Sequence, residues 1–294
     1  MKQSINSISS YLKNQFGEKT VKLAIDGGFT CPNRDGTKGT GGCLFCSEGG
    51  GGDFASTIEN QIDLLSEKWP KANYLAYFQN HTNTYAPVEV LQAKFEAALR
   101  HPLISGIVIA TRPDCLSEEV LDLLSRLNEQ HFLWVELGLQ TIHEDTAKLI
   151  NRCYDLSVYD DAMAALTSRG IKVVSHLILG LPGETKADMI DSVRYVCQSK
   201  TWGLKLHLLN VVKGSRMEQD YAEYNSFDSI EEYVNFVCDL IELIPPEIVL
   251  HRLTGDAPRK ILITPSWSYR KRTILNGIQA ELKRRGSYQG CKAY

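Results

Sequence analysis

No stretch of the 294 residues comes near the roughly 18 consecutive apolar positions of a membrane span, which argues against a helical membrane protein. The opening MKQSINSISSYLKNQFGEK lacks both the apolar block and the small-residue cleavage site of a secretory signal, so it reads as an amphipathic helix of a cytoplasmic protein. Cysteine is sparse: eight are too few for a disulfide scaffold in a chain this long, and without export the thiols are expected reduced. No GxxxxGK[ST] is present, which weakens any phosphate-loop reading. Net charge is small as well, at −3, but it is unevenly spread. Residues 251–294 carry ten Lys/Arg against two acidic side chains, which leaves −11 on residues 1–250. A basic tail on an acidic body suggests a polyanionic partner. A solvated helix end whose cations complement the dipole would explain the same charges.

What the sequence does contain is alternation. Short β-branched runs, VKLAI (21–25), NYLAYF (73–78), GIVIAT (106–111), HFLWVELG (131–138), IKVVSHLIL (171–179), LKLHLLNVV (204–212) and IVLHRL (248–253), alternate with segments of helical period. Ser56 with Glu59, Ser117, Ser157, Thr185 and Asp228 mark helix starts. Nearly continuous apolar runs separated by crossover helices predict parallel strands, either doubly wound or closed as a barrel. Both architectures put ligand sites just beyond the strands' C-terminal ends.

TCPNRDGTKGTGGCLFC (30–46) follows the first run and places Cys31, Cys43 and Cys46 in one loop, with no other Cys or His within thirty residues on either side. Structural zinc usually takes four protein ligands. A cubane iron–sulfur cluster normally takes four cysteines, so three would leave one iron open to another ligand.

This constellation resembles the radical SAM enzymes. In that family three cysteines hold a [4Fe–4S] cluster, and the amino and carboxylate groups of S-adenosylmethionine chelate the fourth iron. The aromatic before the last cysteine is Phe45, and the eleven-residue first gap is similar to the YtqA subgroup and the related catalytic subunit of Elongator. The resemblance implies a partial (β/α)6 barrel over residues 21–250, a short N-terminal helix in 1–20 and a basic extension in 251–294 packed on the barrel. It places Gln79 and Asn80 at the methionyl amino group, Gln140 facing the cofactor, Arg152 near the methionyl carboxylate, His176 towards the ribose and Gly180 against adenine. Arg112 and Asp114 in IATRPDC read as a local ion pair, and His207 and His251 as late-strand residues facing the barrel mouth.

The resemblance further implies action on the wobble uridine of tRNA, taking carboxymethylaminomethyl-(2-thio)uridine towards its aminomethyl and methylaminomethyl forms by 5′-deoxyadenosyl radical hydrogen abstraction. Loss of one more electron would give an imine whose hydrolysis releases glyoxylate. Partners would be tRNA, a one-electron donor such as flavodoxin or ferredoxin, and a tRNA methyltransferase acting next. Trp267 and Tyr269 interleaved with Arg270, Lys271 and Arg272 suit phosphate neutralisation with base stacking. Two other readings stand beside this one: a radical SAM enzyme on a peptide or small molecule, and a zinc-stabilised nucleic-acid-binding module.

Overall fold

The computed structural model describes residues 4–255 and 257–293, so the first three positions of the 1–20 segment lie outside the described residues. One parallel sheet carries, in order, β1 (Thr20–Ile25), β2 (Asn73–Phe78), β3 (Ile104–Thr111), β4 (Phe132–Gln140), β5 (Lys172–Leu179) and β6 (Gly203–Leu208). A two-residue β7 (Val211–Val212) leaves the sheet, and β8 (Val249–Arg252) completes it beside β6. β9 (Leu262–Thr264) pairs antiparallel with β7. The six expected barrel strands are present, and the seventh run extends them, so the boundary drawn at residue 250 falls inside β8.

The helices are α1 (Ile8–Phe16), α2 (Ile58–Ser66), α3 (Val88–Leu99), α4 (Glu118–Gln130), α5 (Glu144–Leu149), α6 (Leu156–Ser168), α7 (Lys186–Gln198), α8 (Met217–Asp220), α9 (Ile230–Leu243) and α10 (Lys271–Arg285). Their starts differ in places from the sequence reading. Thr57, not Ser56, caps α2 by accepting from the Asn60 N–H, because Ser56 is already bridged to Ile25 at the edge of β1. Asp155 and Ser229, rather than Ser157 and Asp228, precede α6 and α9. Ser117 caps α4, and Thr185 with Asp188 forms a full capping box on α7.

The sheet is curled. Neighbouring strands lie about 4.8 Å apart, so β1 and β4 would be roughly 14 Å apart in a flat sheet, yet Lys22 of β1 and Lys205 of β6 both reach Glu136 of β4. The convex face is covered by helices through Leu91, Phe95, Leu124, Tyr159, Val193 and Tyr233. The concave face holds Leu75, Tyr77, Val108, Trp134 and Val174, closed from below by Leu12 of α1. Both open edges end in a single parallel bridge, Ile25 with Ser56 and Ser7 with Leu250.

Gly106 opens the closely packed part of β3. A Cβ there would stand 2.4 Å from the Phe132 carbonyl oxygen on β4 and 3.0 Å from Leu75 Cδ2. Because the nearest obstacle is backbone, Gly106→Ala is expected to lower stability by about 1–3 kcal/mol. Urea melts of the two proteins check this, and equal midpoints would show that the β3–β4 pairing can shift at no cost.

Candidate active site

The loops after β1 to β6 surround a cavity of about 210 Å³ on the concave side. Cys31, Cys43, Phe45 and Cys46 line it, together with Gln79, Gln140, Arg152 and His176. The cysteine loop is locked to the turn after α5. Asn33 Nδ2 donates to the Asn151 carbonyl at 2.6 Å and to Cys43 Sγ at 3.5 Å, while Asn151 Nδ2 donates to the Gly42 carbonyl at 2.8 Å. Arg34 donates to the Ser47 carbonyl at 2.5 Å across the loop. A hydrogen bond from Cys46 lowers the Cys43 thiol to about 7 against the opposing effect of burial, with Arg112, Asn33 and Arg34 adding to the shift. Cationic surroundings of this kind stabilise thiolates.

The remaining expected residues divide into two sets. Gln79 lines the cavity, but its amide donates to the Gly51 carbonyl at 2.9 Å, so it also secures the glycine-rich loop. Asn80 is not among the lining residues: its buried Oδ1 faces Gly52, where a Cβ would be 1.7 Å away. Gly180 also lies off the cavity. Its φ of +89° and a Cβ position 2.0 Å from Ser226 Oγ give it a packing reason for lacking a side chain. Gln140 faces the cavity from a left-handed conformation, φ +68°.

Arg152 is 1% exposed and donates to the Tyr154, Leu139 and Thr141 carbonyls and to Glu144. It therefore fixes the turn beyond β4 while presenting one edge to the cavity. Arg112 and Asp114 form the local ion pair, bidentate at 2.9 Å, with the Arg112 guanidinium 5.0 Å from the Tyr154 ring centre. His207 lines the cavity, whereas His251 is packed between Trp134 and Trp202 beneath it, so only one of the two faces the mouth.

Below the strand ends is a charged layer that the sequence reading missed. Glu136 accepts from Lys205 at 2.6 Å, Tyr77 OH at 2.7 Å, Lys22 at 3.2 Å and Trp134 Nε1 at 3.3 Å. Burial alone would raise the Glu136 carboxyl, but Lys205 and Lys22 overcome it and hold the group well below the usual carboxylate range. Burial pushes the Lys205 ammonium down to about 7 against the pull of Glu136. Burial, with Lys205 adding to it, keeps the His176 imidazole well below its ordinary value and therefore neutral. The signal was present as one charge in the middle of each of three apolar runs, VKLAI, WVELG and LKLHL.

In the carboxy-terminal part, α10 packs on α9 through Ile274, Ile278 and Leu282, and Arg285 pairs with Asp239 and Glu281 at 2.6 Å. Trp267 does not offer a free stacking face. It is partly buried against the core, 5.8 Å from the Tyr233 ring, which turns the indole inward. Tyr269, Arg270 and Arg272 are exposed, and Lys271 is half-buried.

With this geometry in place, the comparisons with known proteins are decisive. The Radical SAM superfamily model matches residues 34–196, more than half of the chain, and the Radical_SAM C-terminal domain matches residues 201–284. The chain belongs to the radical SAM superfamily. It is 47% identical over 294 residues to YtqA of Bacillus subtilis, covering 97% of this chain and 91% of that protein. A shorter match, 31% identical over 159 residues, reaches the tRNA uridine(34) acetyltransferase of Dehalococcoides mccartyi and covers 52% of this chain and 34% of that one. Among solved structures, archaeal Methanocaldococcus infernus Elp3 superposes with a TM-score of 0.67 at 16% identity, over 92% of this chain and 64% of that chain, which supports the shared fold.

Membership makes this radical SAM protein an enzyme of a family that uses a [4Fe–4S] cluster and S-adenosylmethionine and needs an electron donor and a substrate. It also sets aside the zinc-module reading. The residues present fit the cluster. Among the described residues no three His, Cys, Asp or Glu side chains are arranged to hold a single metal ion, while three thiols share one cavity wall flanked by Arg34 and Arg112. That donor set suits several irons with one thiolate each. Cys31 lies just ahead of the family match, and its place in the cavity links it to the pair inside. Among the described residues no helix is long and apolar enough to cross a membrane.

Proposed function

We propose that this radical SAM enzyme modifies the wobble uridine of tRNA, converting carboxymethylaminomethyl-(2-thio)uridine towards its aminomethyl and methylaminomethyl forms. The observation that carries this reading is the 159-residue match to a tRNA uridine(34) acetyltransferase, which covers 52% of this chain. The rim supports it. Tyr269, 38% exposed, stands 4.7 Å from Arg259 and 5.8 Å from Arg270, and Lys271 lies 5.9 Å from Phe54, itself 50% exposed on the loop after the cysteines. Aromatic faces among cations suit a splayed-out base and its phosphates.

Cys31, Cys43 and Cys46 would hold the cluster, and Gln140 and His176 would face the cofactor. When bound, the cluster and S-adenosylmethionine together supply the 5′-deoxyadenosyl radical that abstracts hydrogen. The chain's own residues position and enclose. Asn33 and Asn151 fix the cysteine loop, Arg152 fixes the turn beyond β4, and α1 seals the underside against water. Arg270 and Arg272 would take phosphates, while Trp267 supports the start of α10 from within. An electron donor of the flavodoxin or ferredoxin type and a following tRNA methyltransferase complete the scheme.

The test is nucleoside analysis of tRNA from a strain lacking the gene. Carboxymethylaminomethyluridine should accumulate while the aminomethyl and methylaminomethyl forms disappear. Unaltered wobble uridine in that strain would remove tRNA as the substrate.

A further inference from the structure

Lys205 is a buried amine for which the scheme above has no use. It stands on β6 in one layer with Tyr77 on β2 and Glu136 on β4, as inward side chains of alternate barrel strands do. Its Nζ donates to Glu136 Oε2 at 2.6 Å and to the Tyr77 hydroxyl at 3.1 Å, and that hydroxyl donates to the same Oε2 at 2.7 Å. The three groups close a triangle, and all three line the cavity. An ammonium has three N–H directions; the third at Lys205 has no partner among the described residues, and in the neutral amine that direction is the lone pair. Burial brings the Lys205 ammonium down to about 7 against the pull of Glu136, and Lys22, on the other oxygen of that carboxylate, adds to the descent. A desolvated lysine beside a second cation is the setting in which an amine attacks carbonyl carbon. Lys22 is not so placed: it lies 4.3 Å over the Tyr77 ring and does not border the cavity. Of the other groups around the amine, His176, His207 and His251 are held neutral, chiefly by burial, and Arg252 stands in register on β8.

We propose that the Lys205 amine captures a small aldehyde in the cavity as an imine, with Tyr77 and Glu136 relaying the protons. The nitrogen lone pair forms the C–N bond while the carbonyl π pair moves to oxygen. The proton shed by nitrogen passes to Glu136, and the Tyr77 hydroxyl, hydrogen-bonded to both groups, hands its own proton to that oxygen and is reprotonated from Glu136. A second transfer along the same path lets the oxygen leave as water while the C=N bond forms. Nitrogen loses two protons, water carries both away, and no electron is gained or lost. The source of the aldehyde rests on the wobble-uridine reading, in which imine hydrolysis would release glyoxylate; the capture itself does not.

The test is reductive trapping of cluster-loaded protein with glyoxylate and cyanoborohydride at about pH 7, read by mass spectrometry of the digested chain. The reduced adduct, N-carboxymethyl-lysine, should form at Lys205 at least about tenfold faster than at the exposed Lys213 or Lys260, because an ammonium near 7 presents far more neutral amine than an ordinary lysine at about 10.4. Tyr77→Phe keeps the ring and removes the relaying hydroxyl, so it should slow capture at Lys205 at least about tenfold and leave labelling of Lys213 unchanged. Label spread evenly over the exposed lysines, or absent from Lys205, overturns the proposal in wild-type protein without any variant. Capture in Tyr77→Phe as fast as in wild type overturns the relay. Capture at Lys205 alongside unaltered wobble uridine in the deletion strain keeps the amine's role and discards tRNA as the source of the aldehyde.

Discussion

Cys43→Ala protein prepared without oxygen is expected to lose its iron and sulfide and to turn over less than about one-thousandth as fast as wild type, because catalysis without an essential group falls back towards the uncatalysed rate. The reason is geometric. Cys43 is half-buried, hydrogen-bonded by Asn33 and surrounded by the Arg34 and Arg112 charges, and no neighbouring Cys among the described residues is positioned to replace it in the cavity wall. Cys153 is the useful control. Its Sγ contacts its own turn at Asn151 and it does not line the cavity, so Cys153→Ala should keep its iron. Iron and sulfide assays with the absorption spectrum decide this without an activity measurement. Full iron in Cys43→Ala would remove that residue from the ligand set.

Replacing Glu136 by Gln is expected to cost about 3–5 kcal/mol, the range for breaking a buried ion pair by removing one partner. The pair is almost inaccessible, with side-chain exposures of 2% for Glu136 and 3% for Lys205. The pH dependence should change shape as well. In wild type the folded Glu136 carboxyl is depressed, so its contribution is fully present above the unfolded value of about 4.3 and is lost as pH falls towards the folded one. The variant lacks that acid slope. Its two lysines, left without a carboxylate, should have ammonium groups depressed further, so the unfolded chain binds more protons than the folded chain up to about pH 10.4. Stability of Glu136→Gln should therefore rise between pH 7 and pH 9. Denaturant melts at both pH values check this, and a variant as stable as wild type at pH 7 would show that the layer is hydrated instead of dry.

The strands were legible because a parallel sheet covered on both faces demands continuous apolar runs, and all seven of those runs line up in sequence order. The cysteine loop was legible because three thiols in one loop are rare without a metal or cluster to hold. Helix caps were read one or two residues off where several capping residues adjoin, as at Ser56 and Thr57, since only the sheet edge determines which one is already engaged. The charged layer was not read. Lys22 and Glu136 are 114 residues apart, Glu136 and Lys205 are 69 apart, and in each run the single charge reads as an outward-facing position. Their shared face emerges only when the sheet curls. Trp267 misled for a related reason: interleaved aromatics and cations report composition, while the packing of α10 on α9 decides which way each ring turns.

The single bridges at the two sheet edges bear on self-association. An open half-barrel has two terminal strands with unsatisfied backbone groups, which can template pairing with another molecule. Here Ser56 lies along the end of β1, and the segment before α1 lies along β8, where the Leu250 N–H donates to the Asn6 carbonyl. Each flank is occupied at one point by the chain itself, which leaves little uninterrupted ladder for a foreign strand. The open side of the half-barrel is thereby a poor template for edge-to-edge pairing between copies of the protein.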